Sequence, residues 1–237
     1  NSAALRPLLA RAFVIQGEGE RALQTIDAGP IIPEMSGEAA WVAGDVHLSH
    51  GDLDAARDAY DRAVRALPRN SALWVDVARF RDANADTASA RDAVDYAIGL
   101  DRANSPALAF KANLIRTKDG LTASLKWYDE ALTADPDNAE ALIEKAATLG
   151  DLGRYHDMLA ALRDAATIVP RDPRLFYLQA GLAARADNYR LARSLLQRTR
   201  GEIDDLPPSL LPERRHLVEK LALRLAMQAL GLSRRAG

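Results

Sequence analysis

The sequence predicts an all-α fold made of antiparallel helical hairpins stacked in tandem, and three observations predict it. The chain is 48% hydrophobic but only 5% aromatic, with much of the apolar share in alanine, the best helix former and a residue that lets helices approach closely. A 34-residue period runs along it. Turn signals recur at the same period, in "QGEGE", "HGDLD", "NADTA", "KDGLT", "LGRYH" and "RADNY".

The period is fixed by four columns in one register. Stepping by 34 from Gly51 gives Gly17, Ala85, Asp119, Gly153 and Asp187. Seven residues before these anchors stand Ala10, Gly44, Ala78, Ala112, Ala146 and Ala180. Five residues after them stand Ala22, Ala56, Ala90, Ser124, Met158 and Ala192, nearly all small. Nine after come the large apolar residues Ile26, Tyr60, Val94, Tyr128, Leu162 and Leu196, and twelve after come Gly29, Ala63, Ala97, Ala131, Ala165 and Thr199. Small side chains belong where the two helices of a hairpin cross closely, and large ones fill the space toward the next hairpin. Pro68, Pro136 and Pro170 end the second helix of their hairpins, because proline cannot continue one.

These columns resemble the tetratricopeptide repeat family: small residues at the eighth, twentieth and twenty-seventh places, large apolar ones at the fourth and twenty-fourth, proline at the thirty-second. The best matches are "AWVAGDVHLSHGDLDAARDAYDRAVRALPRN" (40–70) and "NAEALIEKAATLGDLGRYHDMLAALRDAATIVPRD" (138–172), with Trp74 and Phe176 at the fourth place. The resemblance implies a right-handed superhelical solenoid of about six units, at 3–36, 37–70, 71–104, 105–138, 139–172 and 173–206. Some positions depart from the pattern. The seventh place is Lys111, Lys145 and Gln179 in three units, Arg6 and Gly29 are atypical in the first, and Arg102 and Asp204 replace the terminal proline. Pro30 and Pro33 predict a short second helix in the first unit.

Solenoid ends need a polar cap. Residues 207–237 are expected to supply one as a helix starting near Pro212 and ending at Gly231, with Leu217, Leu221 and Leu225 on its inner face. No comparable cap precedes the first unit, so neighbouring repeats or domains are expected on its N-terminal side. Any signal sequence would lie there too, which leaves cytoplasm or bacterial periplasm equally open.

Composition narrows the function classes. Net charge is −2, which disfavours a surface built to neutralise many phosphates, so no nucleic-acid partner is expected. Cysteine is absent, which removes disulfides, thiolate metal sites and cysteine nucleophiles. No apolar run reaches the ~18 residues of a membrane span.

Chemistry is sparse. "GEGERA" (17–22) lacks the preceding strand and third glycine of a phosphate-binding loop. His47 and His50 are spaced for two metal ligands, but they sit at a packing place and a turn. "DPDN" (135–138) lacks the central glycine and terminal glutamate of a calcium loop. No carboxylate pair stands out as acid and base. The sequence therefore predicts no enzyme, no metal and no cofactor.

What remains is a binding surface. In the family this chain resembles, the first helix of each unit lines a concave groove that holds a peptide or partner protein. Carrying its groove places across gives Pro7, Trp41, Val75, Ala109, Ile143 and Tyr177 at the fifth place, and Arg11, Asp45, Arg79, Asn113, Ala147 and Gly181 at the ninth. With Arg116, Arg174 and Arg185 beside it, an apolar row there would suit an extended ligand carrying hydrophobic and carboxylate groups. A different helix rotation would bury part of that row instead. The Lys–Asn pair that grips chaperone tails in one subclass of the family is missing from every unit. RNA reading by a helical-repeat array, or a spacer role in an envelope or export assembly, are the alternatives to a protein-interaction scaffold.

Overall fold

The computed structural model describes residues 2–118 and 120–204. Among these the regular structure is helical: α1 (Ser2–Ile15), α2 (Gly19–Asp27), α3 (Ser36–Ser49), α4 (Leu53–Ala66), α5 (Ser71–Ala83), α6 (Thr87–Leu100), α7 (Ser105–Lys118), α8 (Leu121–Ala134), α9 (Ala139–Asp151), α10 (Tyr155–Ile168), α11 (Pro173–Arg185) and α12 (Tyr189–Asp204). A single 3-10 turn, Pro33–Met35, leads into α3. The cap expected at 207–237 lies outside the described residues.

The chain divides into two compact blocks, Asn1–Asn138 and Ala139–Gly237. In the first, α1 pairs with α2, α3 with α4, α5 with α6 and α7 with α8, and each hairpin also touches the next. In the second, α9 pairs with α10 and α11 with α12, and α11 also packs on α9 and α10.

The anchor place is where the backbone turns left-handed. Gly17, Gly51 and Gly153 each have φ of 76°, Ala85 has 60° and Asp187 has 56°. The next residue's N–H reaches back five residues, as from Asp52 to the carbonyl of His47 at 2.9 Å and from Arg154 to that of Leu149 at 2.8 Å. The anchor's own N–H bonds the carbonyl three residues back, as from Gly51 to Leu48. This helix-ending motif satisfies carbonyls that would otherwise be orphaned, and glycine suits it because it lacks the Cβ that makes a positive φ costly. Asp52 and Asp86 then start the second helix, their carboxylates accepting the N–H of Ala55 and of Ser89 at 3.1 Å, the usual way of satisfying a helix's first donors.

The small-residue columns are buried in their hairpins, except at Gly29, which lies beyond the end of α2 and is half-buried. Ala10, Ala78, Ala112, Ala146 and Ala180 are fully enclosed, as are Ala22, Ala56, Ala90 and Ser124, and Ala63, Ala97, Ala131 and Ala165. Gly44 has no room for a methyl group, since a Cβ there would lie 2.9 Å from the Tyr60 ring. In the first block the large residues Trp41, Tyr60, Leu73, Val77, Phe80, Val94 and Leu114 fill one cluster. α2 spans nine residues where α4 spans fourteen, as "AGPIIPE" predicts.

Hairpins in the first block are also stitched by a repeated polar clamp. Ser71 Oγ donates to the carbonyl of Ala97 at 2.9 Å and accepts from the Asn104 amide. One unit later Ser105 donates to Ala131 at 2.8 Å and accepts from Asn138 at 2.7 Å. Asn104 doubles as an N-cap, accepting from the N–H of Ala107, as Asn70 caps the previous unit by accepting from that of Leu73. Without a proline, α6 stops at the same place of its unit as α4, α8 and α10. α6 ends at Leu100 before Arg102, where Asp101 accepts from the N–H of Ala103 at 2.9 Å and closes the turn.

Candidate partner-binding site

The site residues read from the sequence fall into two sets, Trp41 to Arg116 in the first block and Ile143 to Arg185 in the second. The exposed apolar row expected at the fifth place is not what the fold gives. Trp41 is 6% exposed, Val75 2%, Ala109 2% and Ile143 1%; Pro7 is also buried and only Tyr177 is half-buried. These side chains pack between helices, because the first helices are rotated to put the fifth place against the neighbouring helix. The surface that remains around Trp41 and Val75 is polar.

Its centre, on α1, α3 and α5, is a network. The indole N–H of Trp41 donates to Asp76 Oδ2 at 3.0 Å, and Arg79 donates to the other oxygen of Asp76 at 2.9 Å. Tyr60, reaching across from α4, donates its hydroxyl to Asp45 Oδ1 at 2.7 Å. Arg11 lies over the Trp41 ring, 3.5 Å from its centroid, and approaches Glu38 at 3.4 Å and Asp45 at 3.9 Å. Stacking of a guanidinium on indole adds attraction beyond the ion pairs. Burial, and then the neighbouring charge of Asp76, push the Asp45 carboxyl up to about 7 against the Tyr60 hydrogen bond and the charges of Arg11 and Arg79. The Tyr60 hydroxyl is held protonated by burial and by Asp45.

Asn113 occupies the same place on α7 and accepts a hydrogen bond from Tyr128. The ninth-place polar residue is thus tied to a twenty-fourth-place tyrosine wherever one exists, and the units with Val94 or Leu162 there carry Arg79 or Ala147 instead. That pairing is a signal the sequence held. Asp76 and Glu38 were not among the site residues read from it, because neither lies at a fifth or ninth place. Arg116 is half-buried near the end of α7.

In the second block Arg174 is not held out for a ligand. It is bound by Asp172 at 2.9 Å and Glu140 at 2.6 Å, with Glu144 at 3.9 Å. Burial works against its charge, but the hydrogen bonds of Asp172 and the charge of Glu140 outweigh that and raise its pKa above the ordinary value. Arg185 lies over the ring of Tyr155, 5.0 Å from its centroid, and donates to the phenol oxygen. His50 stands 3.8 Å from Glu20, and no three potential ligands converge on a metal position among the described residues.

Residues 2–82, the part that contains this network, match the family model of the tetratricopeptide repeat-like domain. Over that stretch the chain is similar to tetratricopeptide-type repeats. The helical-hairpin fold also matches solved structures. PilW, described as a widely conserved type IV pilus biogenesis factor, is 15% identical with a TM-score of 0.67, the match covering 83% of this chain and 91% of that one. PilF of Pseudomonas aeruginosa is 15% identical with a TM-score of 0.65, covering 91% and 96%. MamA is 16% identical with a TM-score of 0.53, covering 68% and 95%. No curated protein sequence matches the chain.

Proposed function

We propose that the chain is a non-enzymatic scaffold that holds a peptide or partner protein against the first helices of its repeats, with the Glu38, Asp45, Asp76 and Arg79 surface of the first block as the contact. The observation that supports this most is the network itself. Half-buried ion pairs rarely stabilise a fold better than apolar packing of the same volume would, so a cluster of three carboxylates and two arginines on helices otherwise sealed by alanine is better explained by recognition. Its side chains are already held in place, which lowers the entropy lost on binding. Arg79, 45% exposed, and the edges of Glu38 and Asp76 are the groups a partner meets.

The exposed Leu5, Leu8, Leu9 and Ile15 on α1 support a second contact of the same kind, a neighbouring repeat or domain stacking there.

Capture from extracts of the source cell tests the main contact. A protein held by the wild-type chain is expected to be lost by the Glu38→Lys/Arg79→Glu variant while the helical circular dichroism is unchanged, and to be retained by Tyr177→Glu/Arg185→Glu. Retention by the first variant and loss by the second would move the site to the other block and overturn this reading.

A further inference from the structure

A second surface lies on α12, in the second block. On α12 the side chains of Arg190, Arg193, Ser194, Gln197 and Arg200 are all exposed. Their spacing of three, four and three residues between the charged or amide positions places them on one stripe of the helix. Among the described residues, no carboxylate lies within bridging distance of Arg190, Arg193 or Arg200. The other arginines nearby are engaged: Arg198 over the ring of Phe176 at 4.1 Å and Arg171 with Glu202 at 2.8 Å. Tyr189, 43% exposed, and Leu191, 46% exposed, stand at the start of the same helix. Tyr189, Arg190, Arg193, Ser194 and Gln197 line a depression of about 420 Å³.

Charge along the chain is divided to match. Residues 189–237 carry ten Arg and Lys against five Asp and Glu, whereas the 188 residues before them carry 21 against 28. The small net charge of the whole conceals a basic C-terminal portion.

We propose that the α12 stripe docks on an anionic phospholipid surface. Unpaired guanidinium groups bind phosphate diesters through paired N–H donors, and clustered arginines gather near an anionic bilayer with additive strength. Nucleic acid offers phosphates too, but it has no use for an exposed tyrosine and leucine beside the arginines; a bilayer interface accepts both. An acidic peptide would need its carboxylates spaced to one stripe, whereas a charged lipid surface needs only that the arginines share a face.

Vesicle flotation of the full chain tests this. Wild type is expected to float with vesicles of phosphatidylcholine and phosphatidylglycerol, not with phosphatidylcholine alone, and to be released by high salt. The Arg190→Gln/Arg193→Gln/Arg200→Gln variant is expected to lose about a hundredfold in vesicle affinity. A charge-matched variant, Arg62→Gln/Arg65→Gln/Arg69→Gln, removes three exposed arginines elsewhere and is expected to bind as wild type does. Each triple variant alters exposed side chains only, and unchanged thermal unfolding verifies its fold. Failure of wild type to float, equal loss in both variants, or tighter binding to a single-stranded RNA or to polyglutamate than to the vesicles would each overturn the proposal. None of these outcomes bears on the first-helix contact, which lies on other residues.

Discussion

The hydroxyl of Tyr60 donates to Asp45 at 2.7 Å across the α3/α4 hairpin, fifteen residues apart in sequence, and Tyr128 makes the same bond to Asn113 at the same spacing in the α7/α8 hairpin. Two repeats thus use one tyrosine geometry with two acceptors, one ionisable and one neutral. The difference carries an energetic consequence.

Asp45 binds its proton more tightly folded than unfolded, with a pKa raised to about 7. Between pH ~4 and ~7 the folded chain therefore holds a proton that the unfolded chain has lost, so stability falls as pH rises through that window. Asp45→Asn copies the neutral pair. It is expected to raise unfolding free energy by about 1–3 kcal/mol at pH 8 and to change little at pH 4. Urea unfolding of the two proteins across that range checks it. Taking the difference between them cancels the opposite slopes of Asp86 and Asp157, whose pKa values are lowered by hydrogen bonds from Ser89 and from Arg154.

Removing the donor acts the other way. Tyr60→Phe leaves the Asp45 carboxylate buried without its hydrogen bond, and should cost about 1–3 kcal/mol at neutral pH and move the Asp45 titration upward. Carboxyl-carbon NMR reads the titration directly, and a downward shift would contradict the arrangement.

Ala85 holds φ of 60° at a place where Gly17, Gly51 and Gly153 hold 76°. Ala85→Gly is expected to stabilise by about 1 kcal/mol, because the left-handed conformation costs a residue with a Cβ about that much. Gly51→Ala should destabilise by a similar amount. Thermal midpoints moving in opposite directions would bear this out.

Ser105 is buried, with its hydroxyl shared between the Ala131 carbonyl and the Asn138 amide. Ser105→Ala should cost about 1–3 kcal/mol. Ser71→Ala removes the same clamp from a half-buried site and should cost less, since water reaches the groups it leaves. Chemical unfolding of both variants gives the order, and a reversed order would mean that burial does not set what the clamp contributes.

Ala56 and Ala63 are fully buried two turns apart on one face of α4. Ala56→Leu should destabilise by about 1–3 kcal/mol or more, because the hairpin cannot widen without opening the contact with its neighbour. The same change at Ala55, half-buried on the same helix, should be nearly neutral; equal effects at the two positions would refute the crossing argument.

Much of the architecture was determined by the sequence alone. Ala10, Gly44, Ala56 and Ala63 are small because helices cross there, and a periodic requirement of that kind writes itself into every unit, so the helical hairpins and their turns could be read from one chain. The buried fifth-place row and the network around Asp45 were decided only by the tertiary structure. Spacing tells which residues share a helix face, but not how far that helix is rotated toward its neighbour. A modest rotation of the helix separates a side chain that meets solvent from one that packs. Trp41 and Asp76 lie on different hairpins, thirty-five residues apart, and only the folded chain brings the indole N–H to the carboxylate, where leaving either group unpaired away from water would be costly.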